Sequence, residues 1–174
     1  YTTLFRSREK RSETKAHDFL NVGSMGHASS VALGIALEKP ERKVVALDGD
    51  SACMMHMGAM TMVSKLDAPN FMHVVLNNGS HESVGGQPSA GHKVDFTKIA
   101  EACDYATVGH PVTTEVELVE ALEVLRDCGK ASFIDCRIHK GLSRKLPPVI
   151  FDHREVIDAL IDDLNESRIT MDKK

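Results

Sequence analysis

Three short apolar runs do most to limit what this chain can become. They are Val44-Val45-Ala46-Leu47, His73-Val74-Val75-Leu76 and a longer run over residues 132–138. Each is too short for a buried helix and lacks the polar alternation of a strand with one wet face. They read as strands buried on both faces, the usual state of a strand in a parallel sheet. Helical segments separate them. Residues 26–37, rich in Ala, Gly and Ser, read as a closely packed helix that Pro40 stops. Residues 52–65 read as a helix with methionines at 54, 55, 57, 60 and 62. A short helix is expected over 96–103, a strand over 105–108, and a helix from the N-cap Thr114 through Cys128. Glu117 stands where a capping box needs it. Residues 151–165 close the chain as an amphipathic helix carrying Val156, Ile157, Leu160, Ile161 and Leu164. Strand alternating with helix over short links predicts an α/β fold, a three-layer arrangement of one parallel sheet with helices on both faces.

The polar turns add the first functional constraint. Asp48-Gly49-Asp50-Ser51 follows one strand and Asn77-Asn78-Gly79-Ser80 follows the next. In parallel sheets ligands gather at the carboxyl ends of strands. Asp50 and Asn78 are therefore expected on one edge, offering two hard oxygen ligands of the kind Mg2+ takes while keeping positions for water and phosphate. The helix that follows Asp50 would aim its first N–H groups at a docked diphosphate. Gly49 and Ser51 are small enough to let it approach.

Composition removes other classes. The 174 residues suit one domain with a core, and the formal net charge of −4 gives no general support for binding nucleic acid or an anionic membrane. No apolar run approaches a membrane span. Cys53, Cys103, Cys128 and Cys136 show no CxxC spacing. They read as reduced thiols, which predicts a cytoplasmic protein.

With those residues in view, the chain resembles the thiamine diphosphate (ThDP) binding motif. That pattern is Gly-Asp-Gly, a spacer in the mid-twenties, then Asn-Asn. Here it stands as Gly49-Asp50-Ser51, residues 52–76, then Asn77-Asn78. The resemblance implies that Asp50, Asn78 and the backbone carbonyl of Ser80 hold the metal, with Gly49, Ser51 and Ala52 beside the diphosphate. Ser51 replaces the usual Gly. A left-handed backbone there would cost a serine about 1 kcal/mol, although its hydroxyl is also a phosphate donor. Upstream, Gly23-Ser24-Met25-Gly26 resembles the segment in which a Gly carbonyl accepts from the cofactor's 4′-amino group and an apolar residue wedges it into a bent shape. These are Gly23 and Met25, and an unbranched side chain between glycines can fill such a gap.

A narrower resemblance rests on residues 23–30 (Gly-Ser-Met-Gly-His-Ala-Ser-Ser), 47–50 (Leu-Asp-Gly-Asp), 55–58 (Met-His-Met-Gly) and 77–88 (Asn-Asn-Gly-Ser-His-Glu-Ser-Val-Gly-Gly-Gln-Pro). These are similar to the C-terminal part of the phosphonopyruvate decarboxylase family, with sulfopyruvate decarboxylase as its near relative. The resemblance runs from about Ser7 to Pro147. It implies a ThDP- and Mg2+-dependent carboxy-lyase converting 3-phosphonopyruvate to phosphonoacetaldehyde and carbon dioxide. His81 and Glu82 follow the metal loop, and that position is where a proton shuttle or a group for an anionic substrate would stand. A solvated loop pair is the plainer account at equal weight. For His27 and His56 a structural role is favoured. The loop Gly85-Gly86-Gln87 reads as a cover over substrate or as a simple turn. The basic residues Arg6, Arg8, Arg11, Lys15, Arg144 and Lys145 fit a solvated segment better than a phosphonate site.

No segment resembles the family's pyrimidine-binding domain, whose Glu activates the cofactor. Residues 1–22, opening on Tyr1 rather than Met, read as a linker or N-terminal extension, and 23–174 as the diphosphate- and metal-binding domain. The missing part is expected from a preceding domain or a partner subunit, in a homo-oligomer with its site between chains. Rival readings are another ThDP enzyme, such as an acetolactate synthase, and a non-catalytic ThDP-binding module.

Overall fold

The computed structural model describes residues 17–21, 23–141 and 152–171. The basic residues Arg6, Arg8, Arg11, Lys15, Arg144 and Lys145 lie outside that set. Two compact units are present, one over 23–140 and one joining the two ends of the chain. In the second unit α5 (His153–Met171) is long and amphipathic, and its Asp163 meets His17 at 3.0 Å. It extends past the expected end at 165.

The unit over 23–140 holds α1 (Ala28–Glu38), β1 (Val44–Gly49), α2 (Asp50–Met55), β2 (Phe71–Asn77), a hairpin of β3 (Ser80–His81) and β4 (Gln87–Pro88), α3 (Phe96–Ala102), α4 (Glu115–Arg126) and β5 (Ser132–Arg137). The sheet order is β1-β2-β5, all parallel. The segment expected as a strand over 105–108 contributes only an isolated parallel bridge, Ala106 to Ser132, and a second bridge joins Val112 to Cys136. Between them the chain bends at residues 109–110, with Gly109 left-handed at φ +81°, and leaves the ladder.

Two apolar clusters sandwich the sheet. On one face Leu33 and Ala36 of α1, Met60, Phe96 and Ala100 of α3 pack against Ala46, Phe71, Val75 and Phe133. On the other, Ala121 and Leu125 of α4 pack against Met72, Val74, Ile134 and Cys136. Helices thus cover both faces, as the sequence predicts. Thr114 caps α4 with the full capping box: its side chain accepts from Glu117 N–H, and the Glu117 carboxylate accepts from the Thr114 N–H.

Three expectations need correction. Residues 48–51 form no turn: Asp48 and Gly49 finish β1 and Asp50 opens α2 directly. Gly49, extended at φ −83° and ψ 160°, acts as the N-cap, so strand passes straight into helix. The helix expected over 52–65 is broken. His56 leaves the helical region (φ −131°, ψ 37°) and Met57–Met62 continues as a 3₁₀ helix that contains Gly58, the weakest helix former in the segment. Third, β1 is not buried on both faces. Val45 is 50% and Leu47 39% exposed, because β1 lies at the sheet's edge and the second cluster contains no β1 side chain.

Candidate functional site

Register brings the two polar segments together. Gly49 pairs with Leu76 across β1 and β2, so Asp50 and Asn77 both emerge from the carboxyl ends of adjacent strands. Asp50 is 2% exposed, and Ser51 and Ala52 are buried beside it in the first turn of α2. Ser51 is helical, so its place in the motif carries no left-handed strain. Its Oγ is buried with no hydrogen-bond partner. A buried hydroxyl left unpaired costs free energy unless something polar arrives, and Ser51 stands in the first turn of α2, where N–H groups have no partner within the helix.

The loop after β2 is held by its own amides. The Asn77 side chain is fully buried; its Nδ2 donates to the Gly91 carbonyl at 2.9 Å and to Asp135 Oδ1 at 3.2 Å, and its Oδ1 accepts from Gly79 N at 3.3 Å. Asn78 is half-buried, and its Oδ1 accepts from Ser80 N at 3.0 Å. Ser80 is buried, with an unpartnered Oγ. Thus Asp50, Asn78 and Ser80 come from one sheet edge. His81 and Glu82 follow at once, the first in the β3–β4 hairpin opposite Gln87 and the second in a short 3₁₀ turn. Gly23, Ser24 and Met25 lie in an exposed turn before α1, with Met25 49% exposed. Gly26 joins this turn to α2: a Cβ there would stand 2.5 Å from the Ala52 carbonyl oxygen. Only a residue without a side chain lets the two segments touch. The His27 and His56 rings meet with centroids 3.9 Å apart, tilted by 51°, beside a cavity of about 440 Å³ lined also by Ser30 and Met54.

Several participants escape sequence reading. Asp48 Oδ2 and His73 Nε2 are 2.9 Å apart and buried. Asp135, 2% exposed, has one oxygen without a hydrogen bond, Arg137 Nε standing 3.8 Å away. Burial holds its carboxyl above the usual range. Burial first, then the field of Asp48, Asp135 and Asp50, pushes the Cys53 thiol up to about 12. Polar residues inside apolar strands were the available signal for Asp48, His73 and Asp135. Ser89 also belongs here: its hydroxyl is hydrogen-bonded to Asp50 Oδ2, and nothing in the sequence marked it. Among the described residues no helix is long and apolar enough to cross a membrane.

A parallel α/β sheet with an acidic, amide-rich loop edge defines a class, and family comparison agrees: residues 2–136 match the family of the thiamine pyrophosphate enzyme, C-terminal TPP binding domain, and the chain belongs to it. Within that family it is 40% identical over 122 residues to the phosphonopyruvate decarboxylase of Streptomyces viridochromogenes, a match covering 70% of this chain and 30% of that protein. It is 34% identical over 161 residues to the sulfopyruvate decarboxylase subunit beta of Methanothermobacter thermautotrophicus, covering 92% of this chain and 83% of the subunit. The fold also matches the solved Rhodococcus jostii RHA1 thiamine diphosphate-dependent 4-hydroxybenzoylformate decarboxylase, with a TM-score of 0.55 at 18% identity, over 70% of this chain and 24% of that one. The chain thus spans under a third of the phosphonopyruvate decarboxylase it matches.

Proposed function

We propose that this chain supplies the diphosphate- and Mg2+-binding half of a ThDP-dependent 2-oxo acid decarboxylase whose substrate is 3-phosphonopyruvate. The observation that carries the proposal is the convergence of Asp50, Ser51 and the Asn77–Ser80 loop on one sheet edge. The donor set fits the group. A carboxylate, an amide oxygen and a backbone carbonyl are hard oxygen ligands suited to Mg2+, and the orphaned Ser51 hydroxyl at the start of α2 suits a diphosphate oxygen. We assign the metal to Asp50, Asn78 and the Ser80 carbonyl. Gly49, Ser51 and Ala52 face the diphosphate, Gly23 and Ser24 take the aminopyrimidine end, and Met25 wedges between the rings. When bound, ThDP provides the electron sink that lets carbon dioxide leave a 2-oxo acid. His81 and Glu82 handle protons and the anionic head of the substrate.

The pyrimidine-binding half comes from another domain or subunit, in a cytoplasmic oligomer assembled with its sites between chains. The match to most of a separate β subunit favours a second reading in detail, a sulfopyruvate decarboxylase subunit. The test is calorimetric titration of ThDP into the chain with and without Mg2+, beside Asp50→Ala. Mg2+-dependent binding that the variant loses is expected, with no turnover by the isolated chain. Binding by Asp50→Ala equal to that of the parent would refute the metal assignment. A panel of phosphono- and sulfo-substrates on the assembled enzyme separates the two substrate readings.

A further inference from the structure

The loop that begins at the two expected metal ligands of β2's end returns to clasp the third. The β3–β4 hairpin reverses the chain through Gly85 and Gly86, pairing Ser80 with Pro88. Ser89 N then donates to the Gly79 carbonyl at 3.0 Å. Gly91 N donates to Ser89 Oγ at 3.1 Å, and the same hydroxyl is hydrogen-bonded to Asp50 Oδ2. A carboxylate has no proton to give, whereas the hydroxyl can accept from Gly91 through a lone pair and still donate its own proton. The direction of the bond is therefore set by chemistry: Ser89 donates and Asp50 accepts. Gly91 makes the close approach feasible. A Cβ on it would fall 2.2 Å from Asp50 Oδ2 and 2.5 Å from Asn77 Oδ1. The Gly91 carbonyl is in turn gripped by Asn77 Nδ2.

We propose that Ser89 is a positioning residue for the cation site: through its hydrogen bond to Oδ2 it fixes the rotamer of the Asp50 carboxylate assigned to the metal. The inference rests on the assignment of Asp50 as a ligand and extends it to a residue outside the motif. A ligating carboxylate held by a neighbouring donor keeps its rotamer, and loss of such a donor typically weakens metal binding by about tenfold or more. The requirement is sharper for Mg2+, which demands near-octahedral ligand placement, than for Ca2+, which tolerates irregular geometry. Ser89 thus contributes to selectivity as well as affinity.

The experiment titrates Mg2+, and separately Ca2+, into the full chain at saturating ThDP, for the parent, Ser89→Ala and Ser89→Thr. Calorimetry reads binding directly, so no assembled or active enzyme is needed. We expect Ser89→Ala to bind Mg2+ about tenfold more weakly, with a smaller loss for Ca2+, so that the Mg2+ to Ca2+ affinity ratio falls. Ser89→Thr, which keeps the hydroxyl, restores both. If Ser89→Ala matches the parent, the positioning role is wrong while the cofactor assignment stands. If both variants weaken both cations by one factor, Ser89 only supports the loop's shape and the proposal is overturned. If the parent binds neither cation although ThDP binds, the metal assignment falls and this inference with it.

Discussion

Gly26→Ala, set against Gly23→Ala, isolates the contact that ties the Gly-Ser-Met-Gly turn to α2. Both glycines have left-handed backbones, φ +87° at Gly26 and +81° at Gly23. Either alanine therefore carries a strain of about 1–2 kcal/mol, partly offset by roughly 0.4–1 kcal/mol from the stiffer unfolded chain. Their surroundings differ. A Cβ at Gly23 meets nothing within 4 Å. A Cβ at Gly26 would stand 2.5 Å from the Ala52 carbonyl oxygen and 2.8 Å from the His56 ring. The ring can rotate, but the carbonyl belongs to the first turn of α2. Ordinary carbon–oxygen contacts begin near 3.3 Å, so turn and helix must part by about 0.8 Å. Overlaps of that kind cost typically 1–3 kcal/mol. The expectation is a loss of about 0.5–1 kcal/mol for Gly23→Ala and about 2–4 kcal/mol for Gly26→Ala. Urea unfolding followed by circular dichroism, read at unchanged slope, supplies both values. Equal losses would refute the argument, because the two sites share the left-handed backbone and only Gly26 approaches α2 closely.

Two other outcomes follow from the site and its frame. Asp135 keeps its proton to higher pH when folded than when unfolded, because burial disfavours its charge; its contribution to stability is therefore present at low pH and lost as pH rises through the folded value. Asp135→Asn, which still accepts from Asn77, should flatten that loss, and urea midpoints measured across about pH 4 to 8 for both proteins would show no difference in slope if the reasoning is wrong. Thr114→Ala removes the cap of α4 and should cost about 1 kcal/mol in the same denaturation assay, with a change near zero arguing that tertiary packing alone fixes the helix start.

The sequence disclosed the parallel sheet and its functional edge because both depend on local signals. Apolar runs of strand length mark β1, β2 and β5, and the polar residues that follow them mark the carboxyl edge. The capping box at Thr114 is equally local and was found where expected. What the sequence hid depends on partners distant along the chain. Val45 and Leu47 look buried until the sheet order makes β1 an edge strand. Asp48 and His73 lie 25 residues apart and meet only through strand pairing. Ser89 has an ordinary identity in an ordinary loop; its place against Asp50, 39 residues away, needs the hairpin to reverse first. Asn77 and Asn78 are adjacent and alike, yet one is pinned inside the loop and the other stands half-buried at its rim. No propensity separates them.

The parallel register also carries a consequence for kinetics. Val44 of β1 pairs with Phe71, which lies 27 residues on, whereas Met72 of β2 pairs with Ser132, which lies 60 residues on. Closing the shorter loop is favoured over the longer by about 0.7 kcal/mol of chain entropy. On loop closure alone the central strand meets β1 before β5. That first pairing is the one that sets Asp50 beside the Asn77–Ser80 loop. By that entropy alone, the edge bearing the polar residues is laid down before the sheet acquires its third strand.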